Sequence, residues 1–112
     1  MSAIELSGEA SVIDVLQKTS KPIVLVFLGN LAKADGTPSA SGKMKAVMEA
    51  LAEDSGVSGA QLLIKNFDAK GTVEKLYDVQ SGPTTLLLQT KTIVGHYPQD
   101  WMKQTIKDAF HL

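Results

Sequence analysis

The chain is 112 residues long, with 44% hydrophobic and 21% charged residues and a formal net charge of −1. With no block of like charges and no arginine at all, this composition implies neither nucleic acid nor an anionic membrane as a partner, and it removes the guanidinium fork as a means of gripping phosphate or carboxylate. Zero cysteines exclude disulfides, thiol catalysis, iron–sulfur ligation and most structural zinc sites, and His96 and His111 alone make a metal site only if carboxylates complete it.

A length of this order predicts a single domain over residues 1–112. No basic segment followed by an apolar one opens the chain, and no apolar run approaches the roughly 20 residues of a membrane span. A soluble, cytoplasmic protein without cofactor or metal is therefore expected.

In chain order, Ile4-Glu5-Leu6 alternates as a short edge strand does. From Gly8 to Lys18, Val12, Val15 and Leu16 fall at helical spacing, with Glu9 suited to a first turn and Lys18 to a last. Ser20-Lys21-Pro22 breaks that helix. Ile23 to Leu28 is an unbroken apolar run rich in β-branched residues and bounded by Pro22 and Gly29, which predicts a central strand covered on both faces. Gly29 to Gly42 is the longest polar interval, with three glycines, one proline and three serines or threonines. After it, Met44, Val47, Met48 and Leu51 make a helical stripe that Ser39 or Ser41 is placed to cap.

Leu62-Leu63-Ile64 predicts a second buried strand, ending at Asn66-Phe67-Asp68. Gly71 to Tyr77 suits a short helix with Val73, Leu76 and Tyr77 inward. Ser81-Gly82-Pro83 turns into a third strand over Thr84 to Leu88, and Thr92-Ile93-Val94 returns as its antiparallel partner. The last helix, Asp100 to Phe110, is predicted to be capped by Asp100 and to bury Trp101 or Met102, Thr105, Ile106 and Phe110. Met44, Met48, Trp101 and Met102 at helical spacing read as core before they read as a partner surface. The order β-α-β-α-β-α-β-β-α requires an α/β fold with a mostly parallel sheet, an antiparallel edge and helices on both faces.

At this point the chain resembles a thioredoxin. Asn66-Phe67-Asp68 through Tyr77-Asp78-Val79-Gln80-Ser81-Gly82-Pro83-Thr84 is similar, without a gap, to that family's Asn-Ile-Asp, short helix and Tyr-Gly-Ile-Arg-Gly-Ile-Pro-Thr block. Gly42-Lys43-Met44 and the helix behind it resemble the family's Cys-Lys-Met. The resemblance implies a thioredoxin-like fold, a cis Gly82–Pro83 bond, and pairing of the backbone before Pro83 with an extended client peptide.

The departures carry more information than the matches. Ser39-Ala40-Ser41-Gly42 stands where the family has Cys-Gly-Pro-Cys, so dithiol exchange is impossible. Val26 replaces the buried acid beneath that site, and Ile64 replaces the lysine that partners it. Such a pair costs desolvation, and without thiols to serve, two apolar residues are expected to pack there. The loop before Ser39 is longer by about seven residues, a length range in which loops are functional or disordered. Val47 replaces a helix-kinking proline, the tryptophan before the first cysteine has no counterpart, and Tyr97-Pro98 falls near the glycine turn that borders the groove in relatives.

The expected function is a non-catalytic binding module recognising a protein or peptide partner through Ser39, Ser41, Gly42 and Lys43 at the helix start and Gly82, Pro83 and Thr84 at the proline turn, with homo-oligomerisation left open. The alternative is a non-redox enzyme, or a protein binding glutathione or phosphate at the Ser39 to Lys43 helix N-terminus. A serine stands at this position in serine-type glutathione transferases, and Gly36 to Met44 nearly spells a phosphate loop, with one residue too many and Met44 where Ser or Thr would hold magnesium. A serine nucleophile needs a base in reach, and the sequence places none, so helix capping is the simpler role for both hydroxyls.

Overall fold

The computed structural model of the chain describes residues 4–6, 22–57, 59–88 and 91–112. Ile23–Leu28 forms β2, and all six of its residues are buried. Its alternation divides the interior in two. Val24, Val26 and Leu28 point to one side of the sheet, Ile23, Leu25 and Phe27 to the other, and each set belongs to its own apolar cluster. A strand buried on both faces has no polar side to show, which is why this segment reads as a continuous apolar run.

On one flank β2 pairs in parallel with β3 (Gln61–Asn66), which pairs in parallel with β1 (Ile4–Leu6). On the other flank β2 pairs antiparallel with β4 (Thr84–Leu87), which pairs antiparallel with β5 (Lys91–Val94). The resulting five-stranded sheet has the order β1-β3-β2-β4-β5. Helix α1 (Ala40–Ala52) lays Met44, Met48 and Leu51 against the face of Val24 and Val26, and α3 (Gln99–Phe110) adds Met102 and Ile106 to the same cluster. The three methionines are core. Short helix α2 (Thr72–Leu76) covers the other face through Val73. The helix expected over Gly8 to Lys18 lies outside the described residues. Among the described residues, no helix is long and apolar enough to cross a membrane.

Two side-chain expectations are corrected and one open choice is resolved. In α2 the inward residues are Val73 and Glu74, while Leu76 is 71% exposed and Tyr77 stands at the surface. In α3 the cap position is Pro98, which offers no side-chain bond, so Asp100 lies in the first turn and does not cap. Trp101 is 42% exposed and Met102 takes the core position; the indole stacks on Tyr97 with ring centroids 4.2 Å apart. Such stacking gives an aromatic ring a partner without core burial.

Val26 and Ile64 are register partners across β2 and β3, and both are buried. The two positions expected to have lost a charged pair are thus neighbours in an apolar layer. One register step away, on the opposite face, the sheet carries a charged pair that the sequence reading did not single out. Lys65, opposite Phe27, places Nζ 2.6 Å from Glu74 Oε2, and both side chains are at least nine-tenths buried. Lys65 also donates to the Asn66 carbonyl at 3.2 Å, and Glu74 Oε2 accepts the Asp68 N–H at 2.7 Å. Among the described residues, Glu74 Oε1 has no hydrogen-bond partner.

Candidate functional site

The carboxyl ends of β2 and β3, the start of α1 and the turn before β4 meet at one end of the sheet. The long loop between β2 and α1 folds back on itself as a miniature hairpin. Lys33 N–H donates to Thr37 O at 2.8 Å, Gly36 N–H to Lys33 O at 3.0 Å, and Ala32 bridges Pro38. Gly36 turns the corner at φ +86°, a conformation that glycine takes without penalty. Asp35 accepts from the Thr37 hydroxyl at 2.6 Å and from the Thr37 N–H at 3.0 Å, and these bonds, the hydroxyl first, hold its carboxyl below the usual value.

Both serines are engaged. Ser39 occupies the N-cap of α1 with extended backbone; its Oγ accepts the Gly42 N–H at 3.1 Å and donates to the Asn30 carbonyl, and its carbonyl accepts the Lys43 N–H at 2.9 Å. Ser41 is buried, and its Oγ accepts the Gly29 N–H at 2.8 Å. Neither hydroxyl touches a histidine or carboxylate through any bond among the described residues, so neither has the base a nucleophile needs. The Ser39 N–H donates to the Leu31 carbonyl at 3.0 Å, and that same oxygen would lie 2.1 Å from a Cβ at Gly42. The loop therefore presents two carbonyl oxygens, Asn30 and Leu31, to the first turn of α1. Glycine at position 42 is required by that close approach. Lys43 contributes its N–H to the cap and leaves its side chain in solvent.

Replacing Ser39 with alanine removes the cap and frees the Asn30 carbonyl. The expected loss is about 1 kcal/mol of stability, read as a lower urea midpoint at unchanged slope.

Opposite the helix start stands the turn into β4. The Gly82–Pro83 bond is cis. A Cβ on Gly82 would lie 2.4 Å from Gly29 N, so the turn packs directly on the end of β2. Gly29 in this way connects the two halves: Ser41 holds its N–H, and Gly82 lies against its backbone. Thr84 is buried and its hydroxyl donates to Ser81 O at 2.7 Å. The Pro83 carbonyl accepts the Gly95 N–H at 2.8 Å, and Gly95 turns the chain at φ +98°. Among the described residues, the N–H and carbonyl of Gly82 make no hydrogen bond.

Of the residues singled out in sequence, Ser39, Ser41, Gly42, Gly82, Pro83 and Thr84 come together here through Gly29, and Lys43 is peripheral. Gly95 escaped the reading, and Gly29 entered it only as the end of a strand and the start of the loop; the signal of both was a glycine directly after a strand, which marks a turn or a close approach of backbones.

The fold recurs in solved structures. A thioredoxin variant from Halobacterium salinarum NRC-1 superposes with a TM-score of 0.74 at 20% identity, covering 99% of this chain and 93% of that one. A Malassezia sympodialis thioredoxin gives 0.74 at 12% identity over 97% and 92% of the two chains, and one from Nicotiana alata 0.72 at 17% over 98% and 96%. The fold is thioredoxin-like. No family model and no curated protein matches the chain. This thioredoxin-like domain carries no cysteine, and the start of α1 is filled by two structural serines and a loop of its own backbone.

Proposed function

We propose that this thioredoxin-like domain is a non-catalytic binding module that recognises an extended protein segment through the loop after β2 and the Gly82–Pro83 turn. The observation that carries this reading is the backbone of Gly82, which makes no hydrogen bond among the described residues and stands beside the buried Pro83. A free N–H and C=O in one residue is the pattern to which an extended peptide adds as a strand, and main-chain pairing of that kind needs no thiol. The anion-binding alternative is opposed by the Asn30 and Leu31 carbonyls at the start of α1, since negative ends of dipoles there counter the helix field that would attract phosphate or a glutathione carboxylate.

The test is affinity capture from native extract with wild type, Pro83→Ala and a variant lacking residues 32–38, each checked for native circular dichroism. Partners held by wild type should be lost by both variants. Partners retained by both place recognition elsewhere. Glutathione and inorganic phosphate, titrated while the amide resonances of Gly42, Lys43 and Thr84 are followed, should move none of them.

A further inference from the structure

The sheet ends at β5, an edge strand with nothing to blunt it. Its register with β4 is unbroken from Lys91 opposite Leu87 to Val94 opposite Thr84, so it carries no bulge. Thr92, Ile93 and Val94 are β-branched residues in succession, with neither charge nor proline among them. Natural proteins guard such edges with a charge, a proline or a bulge, because the unpaired backbone is a template for another strand. We propose that the β5 edge binds the β5 edge of a second copy of this chain, antiparallel about a two-fold axis at Ile93. The proposal does not rest on the reading of Gly82.

Three observations carry it. The first is the phase of the ladder. Gly95 N–H donates to Pro83 O at 2.8 Å, which makes Pro83 and Gly95 a hydrogen-bonded pair. Such pairs alternate along an antiparallel ladder, so Lys91 and Ile93 turn their backbone groups to β4, while Thr92 and Val94 turn theirs outward. Among the described residues these outward groups have no partner. Second, the edge is complementary to itself. An axis at Ile93 sets Thr92 of each copy opposite Val94 of the other, so that both outward donors and both outward acceptors of each strand are used. Lys91, the charged residue of the strand, then falls opposite Gly95, and no like charges are set against one another. Third, apolar surface lies where the second copy arrives. Val94 is 63% exposed and gains Thr92 of the other copy as its cross-strand neighbour. The exposed Tyr97–Trp101 stack begins three residues further on, and chain length alone keeps Tyr97 within about 11 Å of Val94. Ile93 is buried and stays in the core, so the pairing asks for no change of fold. Strands this short bury less area than a permanent dimer needs, which places the association among weak, reversible ones with a Kd on the order of 100 μM.

The experiment is sedimentation equilibrium of the full chain from about 10 μM to about 1 mM, with amide hydrogen exchange measured at both ends of that range. Wild type should pass from monomer to dimer. Exchange at the Thr92 and Val94 amides should slow at the higher concentration, while Ile93, already bonded to Thr85 within the sheet, should exchange as before. Thr92→Pro removes an outward donor and leaves the ladder to β4 intact, as prolines on edge strands do; it should weaken the dimer at least about tenfold. Val94→Lys and Thr92→Glu each set like charges diagonally across the axis, and each alone should stay monomeric. Mixed in equal amounts, the two variants bring opposite charges face to face and should dimerise again. Thr92 and Val94 are both exposed, so these changes leave the core alone, and circular dichroism verifies the fold of each variant. A wild-type chain that is monomeric at about 1 mM, or a dimer whose newly protected amides lie elsewhere, overturns the proposal. So does a mixture of folded variants that fails to associate, and so does a monomeric wild type whose β5 edge captures a different protein.

Discussion

Replacing Lys65 with methionine is expected to remove about 3–5 kcal/mol of stability. The methionine fills most of the space of the lysine stem, so the cost arises at the partner, Glu74. That carboxylate is 1% exposed, and among the described residues its Oε1 already lacks a partner and, without Lys65, its remaining bond is the Asp68 N–H. A carboxylate buried with one neutral donor and no counter-ion pays the full penalty of leaving water. Total stabilities of domains this size run at about 5–15 kcal/mol, so the single variant should be near its unfolding limit at room temperature. Glu74→Leu should cost a similar amount by isolating the ammonium. The double variant Lys65→Met with Glu74→Leu should lie well above either single one, because two apolar groups replace two desolvated charges; the losses that stay are the Asn66 carbonyl and Asp68 N–H contacts, about 1 kcal/mol each. Urea unfolding of the four proteins closes the cycle. If the double variant loses the sum of the two singles, the ions are not coupled and the pair has been misread.

The same pair marks the limit of what the amino-acid pattern discloses. Strand β2 and helix α1 are legible because their signals are local: six apolar residues in sequence, then Met44, Met48 and Leu51 at helical spacing. Lys65 directly follows Leu62-Leu63-Ile64 and reads as the polar end of a strand, and Glu74 reads as the solvent face of a short helix. Each is misleading alone, and only the fold, which brings them together across nine positions, gives either a reason to be buried. In α2 the consequence is a helix turned so that Leu76, the better apolar residue, faces solvent. At the site the sequence supplied the cap and the proline turn, since both rest on residue types with fixed backbone habits. It could not supply the placement of the Asn30 and Leu31 carbonyls over α1. Those are backbone contacts, and backbone atoms are the same in every residue; the trace they leave is an unexplained glycine at position 42. Trp101 and Met102 are adjacent on α3, and periodicity left open which of them points inward. Tyr97 resolves it by giving the indole a stacking partner at the surface.

Gly82→Ala is expected to cost about 1–3 kcal/mol, while Gly29→Ala, at the residue it presses against, should fall within about 0.5 kcal/mol of wild type. The two glycines touch, yet their missing side chains face different surroundings. A Cβ on Gly82 would stand 2.4 Å from Gly29 N, 3.0 Å from the Leu28 carbonyl carbon and 3.2 Å from Gly29 Cα, all of them backbone atoms. Contact between non-bonded heavy atoms is comfortable near 3.5–4.0 Å, so something must move by about an ångström. The end of β2 is the less able to do so. Leu28 is buried and in register with Asn66 of β3, its carbonyl accepts the Phe67 N–H, and Gly29 N–H is held by Ser41. The turn must then shift, taking with it the Pro83 carbonyl bonded to Gly95 and the Thr84 hydroxyl bonded to Ser81. The effect should appear twice: as a lower unfolding midpoint, and as changed amide resonances at Gly95 and Thr84 in the folded protein. Gly29→Ala should leave the midpoint in place. Equal midpoints for Gly82→Ala and wild type would mean that the turn and the strand end are not in contact in solution, and the loop after β2 and the proline turn could then no longer be expected to act as one face.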